Sequence, residues 1–268
     1  FPTAFTRLTV VPRPEAPAPP PAPAPPTVVP PPPVVPIGAQ PELPRRTVDV
    51  AMPVQTGRTL SVPAGGDLQA ALDAAQPGDV VALAPGATYT KPSGSEGFVL
   101  RRKAGSGWIV VRTAVPDAAL PAPGTRLTPA RAAAANLARL VSPMRNQPTI
   151  LTEPGAAGWR FVGVEITAQP AGVIQTLVNL GAWNQAAADV PRRLVFDRVW
   201  VHGQPGLPIQ RCLTLNSAET AIIDSYVAEC HILGFEGQAL AGWNGPGPFR
   251  IENNYIAGAG INLMFGGG

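Results

Sequence analysis

The sequence predicts an all-β solenoid, a parallel β-helix with a short capping helix at its start and an extended Pro-rich segment ahead of that. Three observations predict it. A six-residue apolar pattern returns four times, as "FVGVEI" (161–166), "FDRVWV" (196–201), "IIDSYV" (222–227) and "IENNYI" (251–256), at offsets of 35, 26 and 29 residues. Each copy is followed by a second apolar segment: "TLVNLG", "CLTLNS", "ALAGW" and "NLMF". One amphipathic helix precedes them all. A period in the twenties built from strands marks stacked coils, in which no repeat can bury its apolar face alone.

The chain begins with "TAFTRLTVVP", which reads as the last strand of an upstream β domain (1–11). Residues 12–44 hold nearly half of the 35 prolines. Proline fixes φ and lacks an N–H, so this stretch is expected as a polyproline II linker rather than helix or central strand. The solenoid is expected over 47–268. Its entrance, "SVPAGGDLQAALDAAQPGDVVALAPGATYT", places Asp67 as the N-cap of a helix with Leu68, Ala71, Leu72 and Ala75 on one face. Pro77 and Gly78 stop that helix, and a strand and turn follow. Such a helix covers the apolar interior and unpaired backbone of a first coil. Tight hairpin signals are missing, since the one Asn-Gly lies in "WNGPGP" between prolines, which argues against a sandwich or propeller. Asn253 and Asn254 fall where an Asn side chain can bond the backbone of a tight bend. "INLMFGGG" reads as a strand with nothing to cover it, so further coils of the same parent chain are expected beyond this fragment.

Only 14% of residues are charged and the net charge is +3, too little to argue for nucleic acid or an anionic membrane as partner. No apolar run reaches the length of a membrane span. The first residue is Phe1 with no leader pattern behind it, so a signal peptide is expected to have been removed, or the N-terminus to be a cut. Lys91 and Lys103 are the only lysines among 20 basic residues, a bias that fits a GC-rich bacterial genome. Cys212 and Cys230, 18 residues apart, read first as two small buried hydrophobes, with a disulfide as the competing reading.

From about Thr47 onward the sequence resembles the right-handed parallel β-helix proteins of the pectin lyase-like superfamily. The resemblance lies in the cap "GGDLQAALDAAQPGDVVALAPGATYT" and in "GTRLTPA", "WRFVGVEIT", "LTLNSAETAIIDSYVAEC" and "ALAGWNGPGPFRIENNYIAGAGINLMFGG", phrases like those of an uncharacterised bacterial subgroup. It implies a secreted or cell-surface protein, an extracellular polysaccharide as partner, polysaccharide lyase or glycoside hydrolase activity, and calcium as a cofactor by analogy. Two departures stand against activity: there is no cluster of closely spaced aspartates, and no acidic triad with a paired arginine. Fold alone does not convey activity.

The fifth position of the repeat holds Glu165, Trp200, Tyr226 and Tyr255, which coil stacking would set in one column. Aromatic planes suit the apolar C–H faces of sugars, so Trp200, Tyr226 and Tyr255 are candidate glycan contacts; the competing reading packs the rings under a loop. Trp243 and Asn244, in "WNGPGP", are either ligand contacts or part of a structural bend. For acid–base work the candidates are Asp224, Glu229, His231, His202 and Arg211. A lyase needs a base and a cation beside the uronate carboxylate, and an inverting hydrolase needs two carboxyls about 6.5–9.5 Å apart. Neither histidine has metal-ligand spacing. Arg101, Arg102 and Lys103 read as a solvated turn. The leading expectation is a carbohydrate-active β-helix; the alternatives are a non-catalytic stalk or adhesive, and a solenoid that self-associates through its strand edges.

Overall fold

Each turn of the chain lays one strand into each of three parallel sheets. The computed structural model describes residues 45–92, 94–142, 146–169 and 173–266, within a unit spanning Pro44–Gly268. The expected upstream strand (1–11) and Pro-rich linker (12–44) lie outside the described residues. Sheet 1 has seven strands: Thr59–Val62, Val80–Leu83, Ile109–Thr113, Ala157–Val162, Arg192–Asp197, Ala218–Ile223 and Phe249–Glu252. Sheet 2 has six: Thr88–Thr90, Ala138–Ser142, Val164–Ala168, Trp200–His202, Tyr226–Cys230 and Tyr255–Gly258. Sheet 3 also has six: Phe98–Leu100, Ile150–Thr152, Ile174–Leu180, Ile209–Leu215, Gln238–Gly242 and Ile261–Phe265. The chain visits them in the order 1, 2, 3 and climbs one coil per visit. This is a parallel β-helix with three strands per coil.

The repeated motif is the corner between sheets 1 and 2. Its first residues pair coil to coil as Phe161, Phe196, Ile222 and Ile251, and its last as Ile166, Val201, Val227 and Ile256. Both sets line the interior, where the Phe161 and Phe196 rings lie parallel at 5.3 Å. The third residue, Gly163, Arg198, Asp224 or Asn253, turns the corner with φ between 50° and 57°. One left-handed residue reverses the chain there without a longer loop. As expected, an Asn bonds this bend: Asn254 Oδ1 accepts from the Ser225 amide and Nδ2 donates to the Ile222 carbonyl, at 2.8 and 2.6 Å.

The capping helix spans Leu68–Ala74, with the Asp67 carboxylate accepting from the Ala70 amide at 3.0 Å. Leu68 and Leu72 bury fully against the first coils, about 1.5–3 kcal/mol each by area. The basic run is tied to this helix rather than merely solvated. Arg101 pairs with Asp73, and Lys103 donates to the Asp73 carbonyl at 2.6 Å.

The single-helix expectation needs correction. Where other coils turn sheet 1 into sheet 2 through one to four residues, the coil of Ile109–Thr113 inserts an excursion over 114–137. That excursion contains a second helix, Pro129–Ala134, N-capped by Thr128 with proline in its first turn. Leu120, Leu127, Ala132, Ala135 and Leu137 give it a small core of its own against Val110 and Val162.

The cysteine reading also needs correction: Cys212 and Cys230 form a disulfide, with Cα atoms 5.6 Å apart. Sequence spacing could not show this, because the two residues are on different sheets and consecutive coils, and meet only through the winding of the chain. Both are fully buried.

A strap, residues 45–57, runs along the outer face of sheet 1. It passes from Arg46, 3.9 Å from Glu219, to Val48, whose carbonyl accepts from Arg250. Val48 packs on Val195, Ala221 and Ile223. The Val50 and Ala51 carbonyls then accept from Arg160 at 2.9 and 3.0 Å, and the Gly57 amide reaches the Gly78 carbonyl near the capping helix. Beneath the strap, Asp197 sits between two arginines. Its Oδ2 is 2.7 Å from Arg160, and its Oδ1 is 2.7 Å from Arg198.

Candidate functional site

The outer face of sheet 2 carries a column in strict register: Thr88, Arg139, Glu165, Trp200, Tyr226 and Tyr255. Parallel coils about 4.8 Å apart set these side chains one above another. The rings do not form one continuous stack. Tyr226 and Tyr255 stack at 4.3 Å and 11°, with Tyr255 41% exposed. Trp200 instead stacks on His202, two residues along its own strand, at 3.9 Å and 20°. Its other contacts are with the small core of the 114–137 excursion. Tyr226 and Tyr255 thus form an open pair, while Trp200 is partly covered by the excursion.

Below the tyrosines lies a cleft of about 370 Å³. Its floor is an ionic cluster. Glu165 Oε1 accepts from Arg139 Nε at 2.8 Å and lies 2.9 Å from His202 Nε2. His202 Nδ1 lies 2.6 Å from the Gly203 carbonyl. Burial pushes the Glu165 carboxyl up, but the hydrogen bonds and charges of His202 and Arg139 outweigh it and leave the group below its ordinary value. Thr167 Oγ1, buried in the cleft wall, has no hydrogen-bond partner. Gln204 donates to the Ala168 carbonyl at 2.7 Å and closes one side. Gly203 is required where it stands, because a Cβ there would run into the Glu229 carbonyl of the next coil.

The sequence candidates for acid–base work are dispersed. His202 is in this cleft. Asp224 is a corner residue, 5% exposed, whose carboxylate accepts from the Gly124 amide and Asn253 Nδ2, both at 2.7 Å; it anchors the excursion. Glu229 is exposed near the far end of the Tyr226–Cys230 strand, at φ 60° beside a break in register. His231 follows that strand, half-buried. Arg211 belongs to sheet 3. Its Nε donates to Gln238 at 2.7 Å, and its guanidinium lies 4.8 Å from the Trp243 ring centroid. Burial lowers the Arg211 pKa, opposed by the charge of Glu236. Asn244 joins two loops on that side, donating to the Trp183 carbonyl, while the Trp243 amide is held by Asn216.

Sequence reasoning did not single out Arg139, and named Glu165 only as a member of the column. The 114–137 excursion stretches the coil of Arg139, so its strand drops out of the repeat. The available signal was "ARLVS" (138–142), which aligns with "VEITA" (164–168) once that insertion is removed.

Among the described residues, no group of three or more His, Cys, Asp or Glu side chains converges to hold a metal ion, so the donor set implied by analogy for calcium does not fit. Among the described residues, no helix is long and apolar enough to cross a membrane.

The sequence matches no model of a known protein family and no curated protein. Among solved structures, the chain is similar to the alginate lyase from Paenibacillus sp. str. FPU-7, at 17% identity over 78% of this chain and 66% of that one, with a TM-score of 0.46. It is also similar to pectate lyase Pel9A, at 16% identity over 76% of this chain and 54% of that one, with a TM-score of 0.39. The chain thus spans about two thirds of the first and about half of the second.

Proposed function

We propose that this protein binds an extracellular polysaccharide along the outer face of sheet 2. The observation that carries this reading is the registered column of Trp200, Tyr226 and Tyr255, with an open tyrosine pair beside a polar cleft. The Tyr226 and Tyr255 rings cover each other's inner faces, so a sugar C–H face would meet the outer face or the edges of the pair, whose polar tips tolerate water.

Binding is favoured over cleavage by the state of the groups that cleavage would need. Both ring nitrogens of His202 are already engaged within the protein, with Glu165 Oε1 and the Gly203 carbonyl. Burial, then Tyr255 and the Glu229 charge, push the Tyr226 phenol up, which keeps it protonated. Glu165 is the one carboxylate among the described residues lining the cleft, whereas hydrolysis uses two. A secreted or cell-surface location is supported by the buried disulfide, since such bonds persist in oxidising compartments.

The test is affinity electrophoresis of the full chain through gels containing polygalacturonate, alginate or a neutral β-glucan. Retardation by at least one glycan, lost in Tyr226→Ala and Tyr255→Ala, is the expected result. Unretarded migration through all three would return the protein to the stalk reading. Release of unsaturated ends or new reducing ends would replace binding with depolymerisation.

A further inference from the structure

Resting on that reading, we propose that His202 is the positioning residue for Trp200 and couples glycan binding to pH. A tryptophan on an open sheet face can take several rotamers, and a sugar gains from it only when its plane is fixed beforehand. Here the excursion core packs against the indole, and the imidazole lying 3.9 Å away holds its plane on the cleft side. The imidazole is in turn held at both nitrogens, by Glu165 Oε1 at 2.9 Å and by the Gly203 carbonyl at 2.6 Å. Both partners are acceptors. Only the doubly protonated ring donates to both at once; either neutral tautomer leaves one pair of facing acceptor atoms. Loss of that proton therefore releases one end of the clamp, and the ring on which Trp200 rests is free to turn.

The surroundings single out Glu165 as the control. From the coil below, Glu165 faces His202, and Arg139 holds the same oxygen of Glu165 from one coil further down. Thr167, on the same strand as Glu165, and Gln204, beyond His202 itself, are uncharged cleft residues. From the coil above, Ala228 occupies the register position of His202, and the Glu229 side chain beyond it is exposed. Trp200 on its own strand carries no charge. The arrangement has two limits in pH. At the acid side Glu165 gains a proton and stops accepting from both cations. At the alkaline side His202 loses one. Glycan affinity is therefore highest between them.

The chain has only two histidines, so the test can be read without a ligand. In the full chain carrying His231→Asn, the remaining imidazole is followed by 15N NMR. Trp200 emission is followed in parallel, as the difference from a Trp200→Phe companion. The expected result is that the imidazole is protonated at both nitrogens at the acid end, and that Trp200 emission changes in step with its deprotonation. His202→Gln abolishes that change. Retardation by whichever of the three gel glycans binds then weakens about tenfold on the alkaline side in the unmodified chain, the scale of one lost charge-assisted hydrogen bond, and is pH-independent in His202→Gln. Trp200 emission indifferent to the imidazole proton, or an unchanged pH profile in His202→Gln, overturns the proposal. If no glycan binds, the binding reading falls, while the ligand-free titration still decides whether His202 positions Trp200.

Discussion

The two flanks of the solenoid hold the same chemical device in different surroundings. On sheet 1, Asp197 lies between Arg160 and Arg198, with side-chain exposures of 3%, 3% and 6% under the strap. On sheet 2, Glu165 lies between Arg139 and His202, at 8%, 49% and 12%, facing a cleft. A carboxylate held between two basic groups is expensive to desolvate, and buried between two guanidinium groups as on sheet 1 it is costly to break. Opened to water on one side, the same arrangement is weakened by solvent and can respond to protons and ligands. Both clusters border a cavity, and burial rather than residue type separates the two flanks.

The sharpest way to break this comparison is Asp197→Ala. It strands two buried guanidinium groups and is expected to cost about 3–5 kcal/mol in urea unfolding. Glu165→Ala is expected to cost on the order of 1 kcal/mol. Equal losses would erase the distinction between the flanks. Next in size, Cys212→Ala with Cys230→Ala removes a cross-link closing 18 residues, an expected loss of about 2–4 kcal/mol that reducing agent reproduces in the native chain. Val48→Ala tests the strap alone, since two lost methyl groups correspond to about 1.5 kcal/mol.

A smaller effect separates the flanks by pH. The folded pKa of Glu165 is depressed, so its contribution to stability is present above the ordinary value of 4.5 and lost as pH falls through the lower folded value. Glu165→Gln is therefore expected to flatten the acid limb of stability against pH, measured by unfolding between about pH 6 and about pH 3. An acid limb identical to the parent would assign that loss to other carboxylates. Smallest of all, Tyr255→Ala is expected to leave stability within about 0.5 kcal/mol while abolishing retardation in glycan gels. A large loss of stability would make the tyrosine pair structural.

The corner of the coil was legible in sequence because it repeats without gaps: apolar residues at its ends and the outward fifth position follow from one alignment, while the left-handed third position, filled by Gly, Arg, Asp or Asn, was not read from it. The capping helix was legible from Asp67 and its apolar face. The site was legible only in half. Trp200, Tyr226 and Tyr255 could be placed in a column, but the pairing of Trp200 with His202 depends on rotamers that no spacing encodes. Arg139 was hidden by an insertion into its coil. Asp224 drew attention as a carboxylate for acid–base work, although its corner position and the amide of Gly124 give it a structural task. The disulfide stayed undecided for a related reason, because neighbours across a solenoid are set by coil length rather than by sequence distance.

The strap also sets an order of events. Its Val48 carbonyl is joined to Arg250 across 202 residues, and its Arg46 lies against Glu219. On a ribosome the strap is made long before either partner exists. It can fasten to Gly78 and then Arg160 while the coils wind, but its longest contacts close only after the Arg250 strand has been added. Residues made early in the chain are thus among the last to be fastened, and the latch on this cylinder doubles as a check that it has been built.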